Sequence, residues 1–128
     1  LAKIASGGEL SRISLAIQVI AAQTSQIPSL VFDEVDVGIG GGVAKSIGSL
    51  LRDLGEKAQI LCVTHQAQVA SQGHHHFSVT KESNETSTLT HINELRGEAV
   101  VTEIARMLGG DNFTDESLAH AEQMIVSN

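Results

Sequence analysis

Leu30-Val31-Phe32-Asp33-Glu34 is the stretch on which the fold turns. Pro28 precedes it, and three large apolar side chains run into two carboxylates. A short apolar run bounded by a breaker reads as a strand buried in a sheet. In open α/β sheets such strands deliver their last residues to the carboxyl edge, where ligands bind. Two adjacent acids there are costly to keep ionised unless a cation or a reacting group uses them, or unless the corner faces water. The pentapeptide alone leaves both readings open.

Gln59–Val63 supplies a second apolar strand, and it runs into Thr64-His65. Between the strands lie a glycine-rich loop, Val35 to Gly42, and a helical pattern from about Val43 to Leu54 with Val43, Ile47, Leu50, Leu51 and Leu54 on its stripe. Strand, helix and strand make a βαβ unit, which is right-handed and sets its two strand ends side by side. His65 therefore leaves the sheet beside Asp33 and Glu34. A histidine after a strand commonly serves as a structural hydrogen-bonder, but near a phosphate its ring can also donate to developing charge.

Upstream, Ser6-Gly7-Gly8-Glu9 opens a helical segment from about Glu9 to Gln23. Ile13, Leu15, Ala16, Ile17, Val19 and Ile20 leave that helix little polar face, so it reads as buried on most sides. Ser followed three residues later by Glu forms a capping box. A cap does not need two glycines, which weaken a helix start. They suit a backbone that something approaches closely, and bare amides at a helix N-terminus favour an anion.

The glycine loop invites a phosphate-binding P-loop reading from Gly40 to Lys45-Ser46. The residue before Lys45 is Ala44, however, so the motif's glycine is missing, and the two acids would repel a phosphate placed beneath them. Lys45 reads as an exposed helix residue, and no other segment offers a P-loop.

Gln66 to Gln72 reads as a short helix with Ala67, Val69 and Ala70 inward. His74-His75-His76 reads as a strand edge, since neighbours on a strand point to opposite faces and three in a row cannot converge on one ion. Phe77–Lys81 and Thr86–Ile92 alternate as an antiparallel edge hairpin around Glu82-Ser83-Asn84-Glu85. An amphipathic helix from Gly97 to Leu108 stops at Gly109-Gly110, and a last helix runs from about Asp115 to Val126 with Thr114 or Asp115 as N-cap.

The 128 residues suit a single domain with a net charge of -7, an aromatic content of 2% and neither Trp nor Tyr. That balance excludes a broad basic grip on phosphate backbone and a base-stacking surface. Cys62 is the sole cysteine and sits in a strand core, which rules out an internal disulfide and fits a reducing compartment. No apolar run approaches the roughly 18 residues that span a bilayer, and no signal peptide is evident. A start at Leu1, already inside a motif, reads as a piece of a longer protein.

Taken in order, Ser6-Gly7-Gly8-Glu9, the acidic strand and the histidine strand end resemble the signature motif, Walker B and switch histidine of an ABC-type ATPase head. Within that superfamily, Ala5 to Arg12, Phe32 to Gly41, Val63 to Ala70 and Ile104 to Gly110 resemble the RecN family, bacterial double-strand-break repair ATPases related to SMC proteins. The resemblance covers nearly the whole chain. It implies an α/β fold: the C-terminal half of an ABC/SMC-type P-loop NTPase head, a mostly parallel sheet flanked by helices with the hairpin at its edge. Residues 1–128 would be this lobe, without the Walker A half or the coiled coil.

The resemblance also implies roles. Asp33 holds Mg²⁺ through water, Glu34 is the general base on the attacking water, and His65 meets the γ-phosphate. Ser6, Gly7, Gly8 and Glu9 close over the ATP of an opposing head. Expected cofactors are ATP and Mg²⁺. Expected partners are the N-terminal half of the same head and a second head in an ATP-dependent homodimer. DNA is engaged through the full-length protein, no membrane is involved, and the place of action is the bacterial cytoplasm at the nucleoid. The fragment alone is expected to be inactive.

Two positions depart from the pattern. Ala5 replaces the usual Leu of the signature, and Gly40 stands where many heads carry an Asp six residues after the catalytic Glu; whether Asp36 substitutes stays open. A non-catalytic dimerisation module of the same fold and a transporter ATPase subunit are the alternatives in other classes.

Overall fold

Alternation along Ser29–Asp33 and Gln59–Val63 sends Leu30, Phe32, Ile60 and Cys62 to one side of a two-stranded parallel sheet. The structure is a computed structural model and describes residues 17–21, 23–24, 26, 28–33 and 39–125. We label the helical residues 17–21 and 23–24 α1. Then follow β1 (Ser29–Asp33), α2 (Gly41–Gly55), β2 (Gln59–Val63), α3 (Ala67–Ala70), β3 (His76–Ser83), β4 (Thr88–Leu95), α4 (Glu98–Gly109) and α5 (Asp115–Met124).

β1 and β2 pair in parallel from Ser29↔Gln59 to Asp33↔Val63. Their start is pinned by Gln59 N–H donating to the Pro28 carbonyl at 2.8 Å and by the Ser29 hydroxyl donating to Gln59 Oε1 at 2.9 Å. α2 lays Ala44, Ile47, Leu51 and Leu54 on the inner face with Phe32, and Val19 of α1, Ile39 and Val69 close that core. Its apolar stripe recurs at three- and four-residue spacing, as a helix with one covered face requires.

α3 is only one turn long, yet it joins two cores. Val69 belongs to the α2 cluster, while Ala67 packs with Val100, Ile104 and Ala105 of α4 and Ala121 of α5. Gly48 makes the α2–α3 approach possible: a Cβ there would lie 3.0 Å from the Gln68 carbonyl oxygen and 3.2 Å from the Val69 Cα. Arg52 adds a tie by donating from Nη1 to the Gln72 carbonyl at 2.7 Å.

Several expected boundaries move. The hairpin strands are longer and their turn later than the alternation suggests. The Asn84 side chain accepts from the backbone N–H groups of Thr86 and Ser87 at 2.9 and 2.7 Å, which takes both residues out of β4. β3 and β4 form a two-stranded sheet of their own. The short helix shrinks to Ala67–Ala70, with Ala67 and Val69 buried and Ala70 packed against the second core. α4 ends where Gly110 takes φ 78° and donates to the Arg106 carbonyl, the left-handed stop that its two glycines announce. The N-cap of α5 is Thr114, whose hydroxyl accepts from Ser117 N–H.

Two burial expectations are corrected. The strands are covered on one face only: Val31 is 67% exposed, Leu61 50% and Val63 52%. In the helical residues 17–21 and 23–24, Val19 is buried but Ile17 and Ile20 are exposed, so burial on most sides does not hold there. In both elements a single layer supplies the covering, through α2 and its core, and nothing among the described residues covers the opposite side.

Candidate functional site

Parallel pairing sets the site. Asp33 closes β1 opposite Val63, and the chain leaves β2 through Thr64 and His65, so the acid and the imidazole emerge from the same edge of adjacent strands. Both side chains are exposed at that edge. A turn begins at once after β2, because Thr64 Oγ1 accepts from Gln66 N–H at 3.1 Å and bends the backbone around His65.

The two strand-end crossings are then tied together. Gln66 Nε2 donates to the Ile39 carbonyl at 3.0 Å. Ile39 is buried in the first core and Gly40 caps α2, so this contact joins the segment carrying His65 to the one returning from Asp33. Gly41 adds a close approach, since a Cβ there would lie 3.2 Å from Gln68 Nε2. Lys45 is exposed on α2, in accord with its reading as a surface helix residue.

Of the residues singled out from the sequence, Asp33 and His65 are brought to one edge. Ser6, Gly7, Gly8, Glu9, Glu34 and Asp36 lie outside the described residues. Gln66 was missed. It lies inside the Val63–Ala70 stretch, but nothing in that stretch names its partner, and only strand pairing brings it to the Ile39 carbonyl.

The donor set admits a hard divalent cation of a particular kind. Among the described residues no three His, Cys, Asp or Glu side chains converge on one point. A cation beside Asp33 would meet a single carboxylate among them, reached through water, and would fill its shell with water and ligand oxygens, the habit of Mg²⁺ on a polyphosphate. The histidine run is built differently. His76 enters β3 and lies 2.9 Å from the Ala70 carbonyl through Nε2, and burial lowers its pKa.

The chain is 53% identical over 127 residues to the DNA repair protein RecN of Vibrio cholerae, a match that covers 99% of this chain and 23% of that protein. With the DNA repair proteins RecN of Haemophilus influenzae and Bacillus subtilis the identities over 125 residues are 54% and 39%, covering 98% of this chain and 22% of each. The chain is RecN-like. It spans less than a quarter of the length of these curated relatives. No protein-family model matches it.

Solved structures agree on architecture. One, from work on the structural biochemistry of ATP-driven dimerization and DNA-stimulated activation of SMC ATPases, superposes with a TM-score of 0.67 at 16% identity, covering 83% of this chain and 63% of that one. The SMC head domain from Thermotoga maritima gives 0.58 at 23% identity, covering 74% and 35%. The fold of this RecN-like chain is that of an SMC ATPase head, α/β with a parallel sheet and a separate antiparallel hairpin. Among the described residues no helix is long and apolar enough to cross a membrane.

Proposed function

We propose that this chain is the C-terminal lobe of an ATP-hydrolysing head in a RecN-like protein that acts in recombinational repair of DNA double-strand breaks. The observation that carries the reading is the parallel register, which sends Asp33 and the His65 turn to one edge. Similarity to the DNA repair protein RecN along nearly the full chain supports it.

Mg²⁺ and ATP, when bound, supply a charge-neutralised triphosphate whose terminal phosphoryl group can be transferred to water. Asp33 would hold the cation, through the water of its shell. Glu34, the next residue, accepts a proton from the attacking water. His65 donates a hydrogen bond to a terminal phosphate oxygen as charge develops there. Ser6, Gly7, Gly8 and Glu9 present backbone amides and a hydroxyl to the ATP of a second head, so that nucleotide closes a homodimer. ATP-driven dimerization is named for one SMC ATPase of the same fold, which fits that arrangement. The acidic balance of the chain, with a net charge of -7, leaves DNA to other parts of the protein. On this reading the full-length protein works at the bacterial nucleoid.

The test is Glu34→Gln in the full-length protein. Turnover should fall at least about a hundredfold, as removal of a positioned general base costs roughly 10²–10⁴, while ATP binding persists and the ATP-bound dimer accumulates on gel filtration. Unchanged ATPase activity would dismiss the roles given to this edge.

A further inference from the structure

Gln66 spans the crossings that leave the two strands. Its Nε2 donates to the Ile39 carbonyl at 3.0 Å, and its own backbone N–H donates to Thr64 Oγ1 at 3.1 Å. The residue is half-buried, and it follows His65 directly. These two contacts therefore fix both the bend that presents His65 and the separation between that bend and the entrance of α2. Ile39 cannot yield easily, because its side chain is buried with Phe32, Ala44 and Val69. Neither can the far side of the bend, where α3 lies backbone-close against Gly48.

We propose that Gln66 is a positioning residue for the ATPase centre: its amide bridge to the Ile39 carbonyl holds His65 at a fixed offset from Asp33. The inference rests on the function proposed above. A hydrogen bond whose only task was stability would be one of many, and its loss would spread over the fold. This bond instead ties the turn after β2 to Ile39, which shares a core with Phe32, the neighbour of Asp33, so its loss is felt at the edge. Misplacement of a catalytic group by about 1 Å costs up to roughly a hundredfold in rate while binding survives.

The experiment uses the full-length protein with Gln66→Met, which keeps length and volume and removes the donor. Expected are a fall in kcat of about tenfold or more with KM for ATP held within about twofold, the split that marks an interaction used in the transition state. Hydrogen exchange should quicken in the segment from Ile39 to Ala44 and stay unchanged in α4. Gln66→Asn, which keeps the amide but retracts it by one methylene, should fall between wild type and Gln66→Met, and it carries the test if Gln66→Met fails to fold. An unchanged kcat overturns the proposal, whether or not exchange quickens. So does a kcat loss with unchanged exchange at Ile39–Ala44, or one matched by quickened exchange throughout. Glu34→Gln run in parallel separates the two ideas: if it leaves turnover intact the proposed function itself has failed, whereas an inactive Glu34→Gln beside a fully active Gln66→Met removes only the role of Gln66.

Discussion

His76 opens β3 with its ring half-buried and its Nε2 2.9 Å from the Ala70 carbonyl. That carbonyl can only accept, so Nε2 carries the proton and the ring is satisfied when neutral. Burial lowers its pKa more than the Ala70 bond raises it, and the neighbouring His75 and Arg52 add lesser downward pushes. A folded-state pKa below the unfolded value means that the unfolded chain takes up the proton first. The resulting stability is present above the unfolded pKa of about 6.5 and is lost as pH falls toward the folded value. Urea midpoints measured at about pH 5 and pH 7.5 should therefore differ less in His76→Gln than in wild type; equal differences would mean that His76 does not titrate on unfolding. At this scale the sequence is legible where a residue ends an element. Asp33 and His65 could be placed because each terminates an apolar run. Gln66 could not, since its partner Ile39 is far away in sequence and near only through strand pairing.

Among elements, the tightest constraint is the approach of α3 to α2. A methyl at Gly48 would meet the Gln68 carbonyl oxygen at 3.0 Å, the Val69 Cα at 3.2 Å and Gln72 Cγ at 2.8 Å. Two of these are backbone and cannot rotate away. Gly48→Ala gains up to about 1 kcal/mol of helix propensity but forces an overpacked contact that costs roughly 1–3 kcal/mol. We expect a net loss of about 1 kcal/mol in denaturant unfolding. Gly42, in the first turn of the same helix, is open: a methyl placed there would meet nothing within 4 Å. Gly42→Ala should stabilise by some tenths of a kcal/mol, up to about 1. Opposite signs on one helix separate packing from propensity; two losses would mean that the first turn of α2 is constrained as well. Element types were readable because helix and strand periods differ, and β2 matches its expected bounds. Hairpin ends were not, because Asn84 captures Thr86 and Ser87 through a side chain that no alternation records. The one-turn α3 carries too few residues to show a period at all.

For the molecule as a whole, the apolar runs say more than the fold they form. Near-continuous apolar strands are the signature of a parallel sheet covered on both faces. Leu30-Val31-Phe32 and Ile60-Leu61-Cys62-Val63 carry that signature, yet among the described residues only the α2 side is covered, and Val31, Leu61 and Val63 stay half exposed or more. Helical Ile17 and Ile20 are exposed as well. The mismatch is physical: a sequence pattern records the burial of the assembled protein, and this chain spans less than a quarter of its curated relatives. On the proposed reading, the missing cover is the Walker A half of the same head. Covering the open half of each of the three strand residues would contribute about 1 kcal/mol apiece, taking full burial at roughly 1.5–3 kcal/mol. The fragment by itself should then show no ATPase activity, and mixing it with the N-terminal half of the head should restore turnover. Leu61→Lys makes the test specific. The side chain already meets water, so the fragment's own helix content and urea midpoint should hardly move, within about 0.5 kcal/mol for an exposed site. Restoration should nevertheless be lost, because a lysine would have to be buried against the incoming half. If Leu61→Lys is restored as fully as wild type, the second half docks elsewhere, and the open strand face has another partner.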